Sequence, residues 1–200
     1  MGDPDAASNQ QLADRAARGD PQAFDELVAR FQARIYRVVS RLVGANEAAD
    51  LVQETFLSAY RHLASFRGDA SVSTWLYRIA TNTALMHLRK RATHAEESLN
   101  TFLPEFDETG RHRATPEQLR VAARAEEALD RARLAEWAVD ALTQLPDAYR
   151  VSFVLRDLEE LPTSEVAEIL DLEPAAVRQR VHRARLMLRS ALSARMERPS

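Results

Sequence analysis

The chain contains no cysteine, which excludes disulfides, thiolate-held metals and a thiol redox sensor within it. Its five histidines are scattered without ligand spacing, so no metal site is expected and no cofactor is implied. Nor does any nucleophile–base pair, carboxylate pair or metal cluster stand out, so an enzyme reading has no residues to carry it. No apolar run is long enough to cross a membrane, and the opening MGDPDAASNQ lacks the apolar segment of a secretion signal. The expected location is therefore cytoplasmic. Strand-like alternation is nearly absent, while Ala, Leu, Arg and Glu dominate, so the expected fold class is all-α. A net charge of −3 argues against a general polycation, and with a single lysine, Lys90, arginine supplies nearly all the positive charge. Any nucleic-acid binding must come from local patches.

One such patch is present. Pro174–Ser200 carries seven arginines and one acid in an otherwise slightly acidic chain. The stretch Pro162–Arg189 reads as two helices joined by a tight turn. The first spans about Thr163–Leu170, with Val166, Ile169 and Leu170 at helical spacing. The break falls at Asp171-Leu172-Glu173, and Pro174 suits the first turn of a new helix. There Val177, Val181, Ala184 and Leu188 form one apolar stripe. At about 100° per residue, Gln179, His182 and Arg183 point away from it, flanked by Arg178, Arg180, Arg185 and Arg189. This spacing predicts a helix-turn-helix whose second helix lies in a DNA groove between phosphates. A solvated Arg-rich face, reflecting composition alone, is the alternative.

The rest of the chain is read as follows. Residues 1–10 are expected to be disordered. From Gln11 a helical period runs through Leu12 and Ala16, then Phe24, Leu27, Val28, Phe31, Ile35, Val38, Val39 and Leu42. Asp20 and Pro21 start the longer of these helices and Gly44 ends it. A helix over about Glu47–Leu63 is expected to bury Ala49, Val52, Phe56, Ala59, Tyr60 and Leu63. Its other face holds Asp50, Leu51, Gln53, Glu54 and Leu57, and two leucines among acids on an outward face suggest either a protein contact or a neighbouring helix.

A turn at Ser65–Ser71 follows, broken by Gly68-Asp69. The next helix, about Ser73–Arg91, turns Leu76, Ile79, Ala80 and Thr83 inward. It carries four basic residues and no acid from Arg78 to Arg91, with Trp75 and Tyr77 beside them. Cations interleaved with aromatics can hold a strand with unstacked bases, although Trp75 can equally be a core anchor. Residues 92–113 are acidic and read as a linker, partly ordered at most, in which Leu99, Phe102, Leu103 and Phe106 either dock or serve as spacer. Helix resumes from Pro116, and another begins at Pro146-Asp147 with Val151, Val154, Leu155 and Leu158 inward.

The blocks ADLVQETFLSAYRHLASFRGDASVSTWLYRIATNTALMHLR and LPDAYRVSFVLRDLEELPTSEVAEILDLEPAAVRQRVHRARLMLR resemble bacterial sigma factors of the extracytoplasmic-function type, over roughly Asp20–Arg91 and Ala135–Leu192. The resemblance implies two helical domains, called region 2 (11–91) and region 4 (135–194), joined by a linker and connecting helix (92–134), with a tail at 195–200. It implies binding to core RNA polymerase, recognition of promoter DNA and melting of the duplex, with an anti-sigma factor as a further partner. Asp50, Leu51, Gln53 and Glu54 match the motif that docks on the polymerase clamp helices. Phe66, Arg67, Gly68, Asp69, Ala70 and Ser71 match the loop that captures a flipped base of the −10 element. Trp75, Arg78 and Asn82 match positions beside the melted strand. Arg178, Gln179, Arg180, His182, Arg183 and Arg185 match the helix that meets the −35 element. Three departures stand out: Met86 where many members carry Asp, Pro162 for a capping Ser, and Asp171 for a turn Gly that adopts a left-handed backbone.

Two other readings compete. A helix-turn-helix regulator acting alone predicts a self-complementary apolar face and palindromic sites, yet the chain shows no receiver-like or ligand-pocket pattern. A helical adaptor leaves the terminal arginines unexplained.

Overall fold

The computed structural model describes residues 5–94 and 137–196, and among them there is helix and no strand. The acidic linker expected at 92–113, including Leu99, Phe102, Leu103 and Phe106, lies from residue 95 on outside the described residues. Helix α1 spans Ala6–Ala17, so helix begins inside the stretch expected to be disordered. Asn9 of that helix is buried, and its side chain accepts from Arg30 of the next helix at 3.0 Å. Helix α2 spans Pro21–Val43. Asp20 caps it, accepting from the backbone N–H groups of Gln22 and Ala23 at 3.1 and 3.3 Å. Arg15 holds that carboxylate in place and, with its hydrogen bond, keeps the Asp20 carboxyl below its ordinary range.

Helix α2 is the axis of the N-terminal unit. Ala23, Leu27, Phe31, Ile35, Val38, Val39 and Leu42 are buried along one stripe, against α1, α3 (Ala45–His62) and α4 (Val72–His94). Gly44 ends it with φ 95°, a backbone that β-carbon-bearing residues rarely adopt. On α3 the buried stripe is Ala48, Leu51, Thr55, Phe56 and Ala59, continued by Leu63. This corrects the expected phase. Ala49 and Tyr60 face outward, whereas Leu51 fills the core.

The fourth helix packs against α1, α2, α3 and, from the C-terminal half, α7, so it is covered on more than one face. Leu76, Tyr77, Ala80, Thr81 and Ala84 are all buried. Tyr77 is therefore not an accessible aromatic as expected. Burial, reinforced by the nearby Glu159 carboxylate, pushes its phenol up to about 12.

In the C-terminal half, residues 137–144 (α5) are helical, and α6 spans Asp147–Phe153. It continues into a wide π-type turn, Val154–Leu158. The extra residue in that turn takes Leu158 off the inward face where regular spacing puts it, and Leu158 is exposed. Helix α7 spans Thr163–Leu170 and α8 spans Pro174–Met196. Between them Asp171 adopts φ 52° and ψ 56°, the left-handed conformation expected there. Leu172 N–H reaches Ala167 O and Asp171 N–H reaches Glu168 O, a Schellman closure of α7. Pro162 supplies no side-chain cap to α7.

The two halves pack directly on each other. Arg150, a buried residue of α6, donates to Leu42 O at the end of α2 at 2.6 Å. It also donates to Leu145 O at 3.0 and 3.3 Å and to Asp147 Oδ1 at 3.0 Å. Leu42 O is one of the last four carbonyls of α2, which lack partners inside their own helix. Burial pulls the Arg150 guanidinium below its ordinary range, and the Asp147 carboxylate opposes that shift.

Candidate nucleic-acid interface

The helix-turn-helix forms as the spacing predicts. Val166 and Ile169 of α7 and Val177, Val181 and Ala184 of α8 are buried together. Leu188 is half-buried at the end of the stripe. The polar face of α8, however, is turned from its expected direction. Arg178, Gln179, His182, Arg185 and Arg189 are the exposed set, whereas Arg180 and Arg183 are half-buried. The reason is α6, whose Tyr149 hydroxyl accepts from Arg183 at 3.3 Å and covers that flank. Arg185, one of the flanking arginines, lies on the exposed side, in a two-pronged pair with Asp157 of the π turn at 2.7 and 2.8 Å. Its hydrogen bond to Asp157 holds the guanidinium above its ordinary range. The pair also sets the direction of Arg185, as bidentate carboxylate binding does.

The turn before α4 is built from its own side chains. Ser71 Oγ caps the helix by accepting from Thr74 N–H at 3.1 Å and shares hydrogen bonds with Ser73 and Thr74 hydroxyls at 2.8 Å. Gly68 has φ 77°, and a β-carbon there would lie 3.2 Å from Nε2 of Gln10. The first helix thus touches the turn, through a residue that no local sequence signal marks. Arg67, Gly68, Asp69 and Ser71 are exposed, while Phe66 and Ala70 are half-buried. Phe66 and Trp75 meet with ring centroids 4.9 Å apart, tilted by 36°. Trp75 is half-buried, which leaves part of its ring available beside the exposed Arg78 and Asn82. Met86, the departure from the family pattern, is exposed at 68%.

On α3, Asp50, Gln53, Glu54 and Leu57 are exposed at helical spacing and form one stripe. Leu51 does not belong to it, being 5% exposed, so one leucine rather than two stands among the acids. Tyr60, expected inside, extends the stripe at 59% exposure and meets Phe24 edge-on at 5.1 Å. An acidic stripe ending in Leu57 and Tyr60 suits a protein partner with an apolar centre and a basic rim. At the far end of the helix, Glu47 ties α3 to His87 and Arg91 of α4 at 2.8 and 3.0 Å.

Comparison with known proteins gives the family of the chain. Sigma-70 region 2 matches residues 27–94, and Sigma-70, region 4 matches residues 135–188. The RNA polymerase sigma-H factor of Pseudomonas aeruginosa is 38% identical over 186 residues, covering 92% of this chain and 93% of that protein. The ECF RNA polymerase sigma-E factor of Haemophilus influenzae is 35% identical over 187 residues, covering 92% of this chain and 95% of that protein. Among solved structures, CnrH in complex with the cytosolic domain of CnrY superposes with a TM-score of 0.66 at 26% identity, covering 93% of this chain and 97% of that one. The chain belongs to the sigma-70 family of RNA polymerase sigma factors, in its extracytoplasmic-function group. As a sigma factor it serves promoter-specific transcription initiation. No helix among the described residues is long and apolar enough to cross a membrane.

Proposed function

We propose a division of this work among three surfaces. The α3 stripe of Asp50, Gln53, Glu54 and Leu57 docks on core RNA polymerase, with Leu51 supporting it from the core side. The turn Phe66–Ser71, with Trp75, Arg78 and Asn82, holds the melted −10 strand. The exposed face of α8 reads the −35 element. Cytoplasmic action follows from the same reading. An anti-sigma protein is the further partner; the CnrH chain, held by the cytosolic domain of CnrY, supports that expectation.

The observation that carries the proposal is the α8 face. Val177, Val181 and Ala184 are fully used in packing, which leaves Arg178, Gln179 and His182 together in the open. A helix presented this way can distinguish base pairs in the major groove, and one good Arg–guanine contact discriminates by about 1–3 kcal/mol. Arg178→Ala should therefore flatten base preference at one or two upstream positions. Arg185→Ala should weaken initiation at all promoters alike and reduce the salt slope by about one unit, as loss of a phosphate contact does. Arg183→Ala should act through the Tyr149 contact and leave base preference alone. A randomised −35 library transcribed by each holoenzyme checks all three, and an unchanged preference in Arg178→Ala rejects this orientation of α8.

The polymerase surface has a separate test. Asp50→Ala combined with Glu54→Ala should weaken core binding at least tenfold while circular dichroism stays unchanged, because both side chains are exposed. Interfacial carboxylates of this kind typically act through pairs worth more than about 1.5 kcal/mol. Undiminished capture by sigma-free core would remove this stripe from the account.

A further inference from the structure

The turn Phe66–Ser71 is braced by a part of the chain that belongs to none of the three surfaces. Helix α1 packs on α2, on α4 and on the short tight turn Leu63–Ser65 that leads into Phe66. Its seat on α2 is polar and specific. Arg30 of α2, oriented by Glu26 at 2.9 Å, donates to Ser8 Oγ and to Oδ1 of the buried Asn9, both at 3.0 Å. Ala13, one helical turn beyond Asn9, is fully buried. These contacts fix the rotation and the height of α1, and the side chain that follows Asn9, Gln10, is thereby laid against Gly68. The whole amide group is near: a β-carbon at Gly68 would stand 3.2 Å from Nε2, 3.6 Å from Cδ and 3.7 Å from Oε1. The amide is itself held, because Nε2 donates to Asp14 Oδ1 at 3.0 Å, four residues along the same helix.

Such a contact matters more at a glycine than elsewhere. With no β-carbon, Gly68 has many backbone conformations open to it, and each must be given up when the turn closes on a base. Its φ of 77° lies in the left-handed region. A held amide pressed on its open side removes alternatives before any base arrives, so less ordering is left to be done at capture. The two ends of the turn have their own anchors, since Phe66 meets Trp75 and Ser71 caps α4. Gln10 covers the stretch between them.

We propose that Gln10 is a positioning residue for base capture: it holds the turn in the shape that fits one base without touching that base, which makes α1 part of the −10 reading unit. The proposal rests on the assignment of Phe66–Ser71 to the −10 element. An extruded base is read by hydrogen bonds to its edge. A turn held in one shape offers its backbone N–H and C=O groups in one pattern, which suits one base edge. A turn free to rearrange accommodates several, and the difference in affinity between bases shrinks. Loss of Gln10 therefore lowers discrimination rather than affinity for DNA at large.

The test uses holoenzyme assembled from the full chain and sigma-free core. Wild-type holoenzyme first selects a promoter from a randomised −10 library. Each non-template position of the selected element is then changed to the other three bases or to an abasic nucleotide, and initiation is measured. Gln10→Ala should lower the preference for the selected base about threefold to tenfold at one position and leave the other positions as they are. The same position should lose its preference when the turn itself is altered, in Arg67→Ala with Asp69→Ala, both exposed residues. With an abasic nucleotide there, Gln10→Ala and wild type should initiate equally, because no base remains to be seated. Asp14→Ala, which frees the amide, should act in the same direction and less. Gln10→Met fills the same space without an amide and should keep most of the preference. Unchanged preference in Gln10→Ala overturns the proposal, and so does a loss that is equal for all four bases and the abasic nucleotide. A loss in Gln10→Met as deep as in Gln10→Ala shows that the amide meets the base itself, and the positioning role falls. If Arg67→Ala with Asp69→Ala leaves every −10 preference intact, the assignment of the turn falls and the role of Gln10 with it. Preference lost in that variant but kept in Gln10→Ala overturns the role of Gln10 alone.

Discussion

Arg150→Ala should destabilise the protein by about 2–4 kcal/mol. Two buried carbonyls, Leu42 O and Leu145 O, lose their donor at once. Each buried acceptor left without a partner costs about 1–3 kcal/mol. Part of this is offset, because alanine no longer requires a guanidinium to be taken out of water. Arg150→Met separates the contributions: it retains most of the side chain's apolar stem and removes only the donors. Urea unfolding followed by circular dichroism gives the values. Stability within about 0.5 kcal/mol of wild type for the alanine variant would show that these hydrogen bonds are replaced by water and that Arg150 is no anchor.

Trp75→Ala should reduce open-complex formation on duplex promoters roughly tenfold to a hundredfold, since stacking of a base on an aromatic ring is worth about 1–3 kcal/mol by alanine substitution. The position of Trp75 makes the test sharper than for an exposed ring. Its contact with Phe66 ties it to the turn, so the substitution removes both a stacking surface and one wall of that turn. Asn82→Ala removes a single exposed amide and should cost less. A promoter with a pre-melted bubble should restore part of the activity, because the unstacking cost is then already met. Permanganate reactivity of unpaired thymines measures opening in both templates. Equal defects on the two would place the fault in folding or polymerase binding, and the melting role of Trp75 would be lost.

Elements governed by local spacing are the ones legible in the sequence. Asp20 and Pro21 mark the start of α2, and Gly44 marks its end. Thr163–Leu170 and the proline opening α8 appear where periodicity and turn chemistry place them. Asp171 adopts the left-handed backbone that its replacement of glycine implies. Where a helix has two plausible apolar faces, the neighbours decide, and they are distant in sequence. Leu51 and Tyr60 exchange roles on α3 because α2 and α4 meet the stripe through Leu51 and Thr55. Tyr77 is buried because the C-terminal half covers α4. Arg183 turns toward Tyr149, a residue 34 positions earlier. Contacts of Arg150 with Leu42 and of Glu159 with Arg41 span more than a hundred residues, 108 and 118 respectively. No periodic pattern encodes such partners; only the packed chain brings them together.

The wide turn at Val154–Leu158 has a consequence for how this half of the molecule can change over time. One extra residue in a helical coil advances everything after it by about 100°. Here that advance swings Leu158 to the outside, directs Glu159 to α2 and lets Asp157 grasp Arg185. The turn therefore acts as a gear between two couplings, one to α2 of the other half of the chain and one to α8. Loss of a single residue there would leave a regular helix and an intact hydrophobic stripe before it. Both couplings would be thrown out of phase together, so an insertion or deletion at this point should disturb the contact with α2 and the setting of Arg185 on α8 as one linked change.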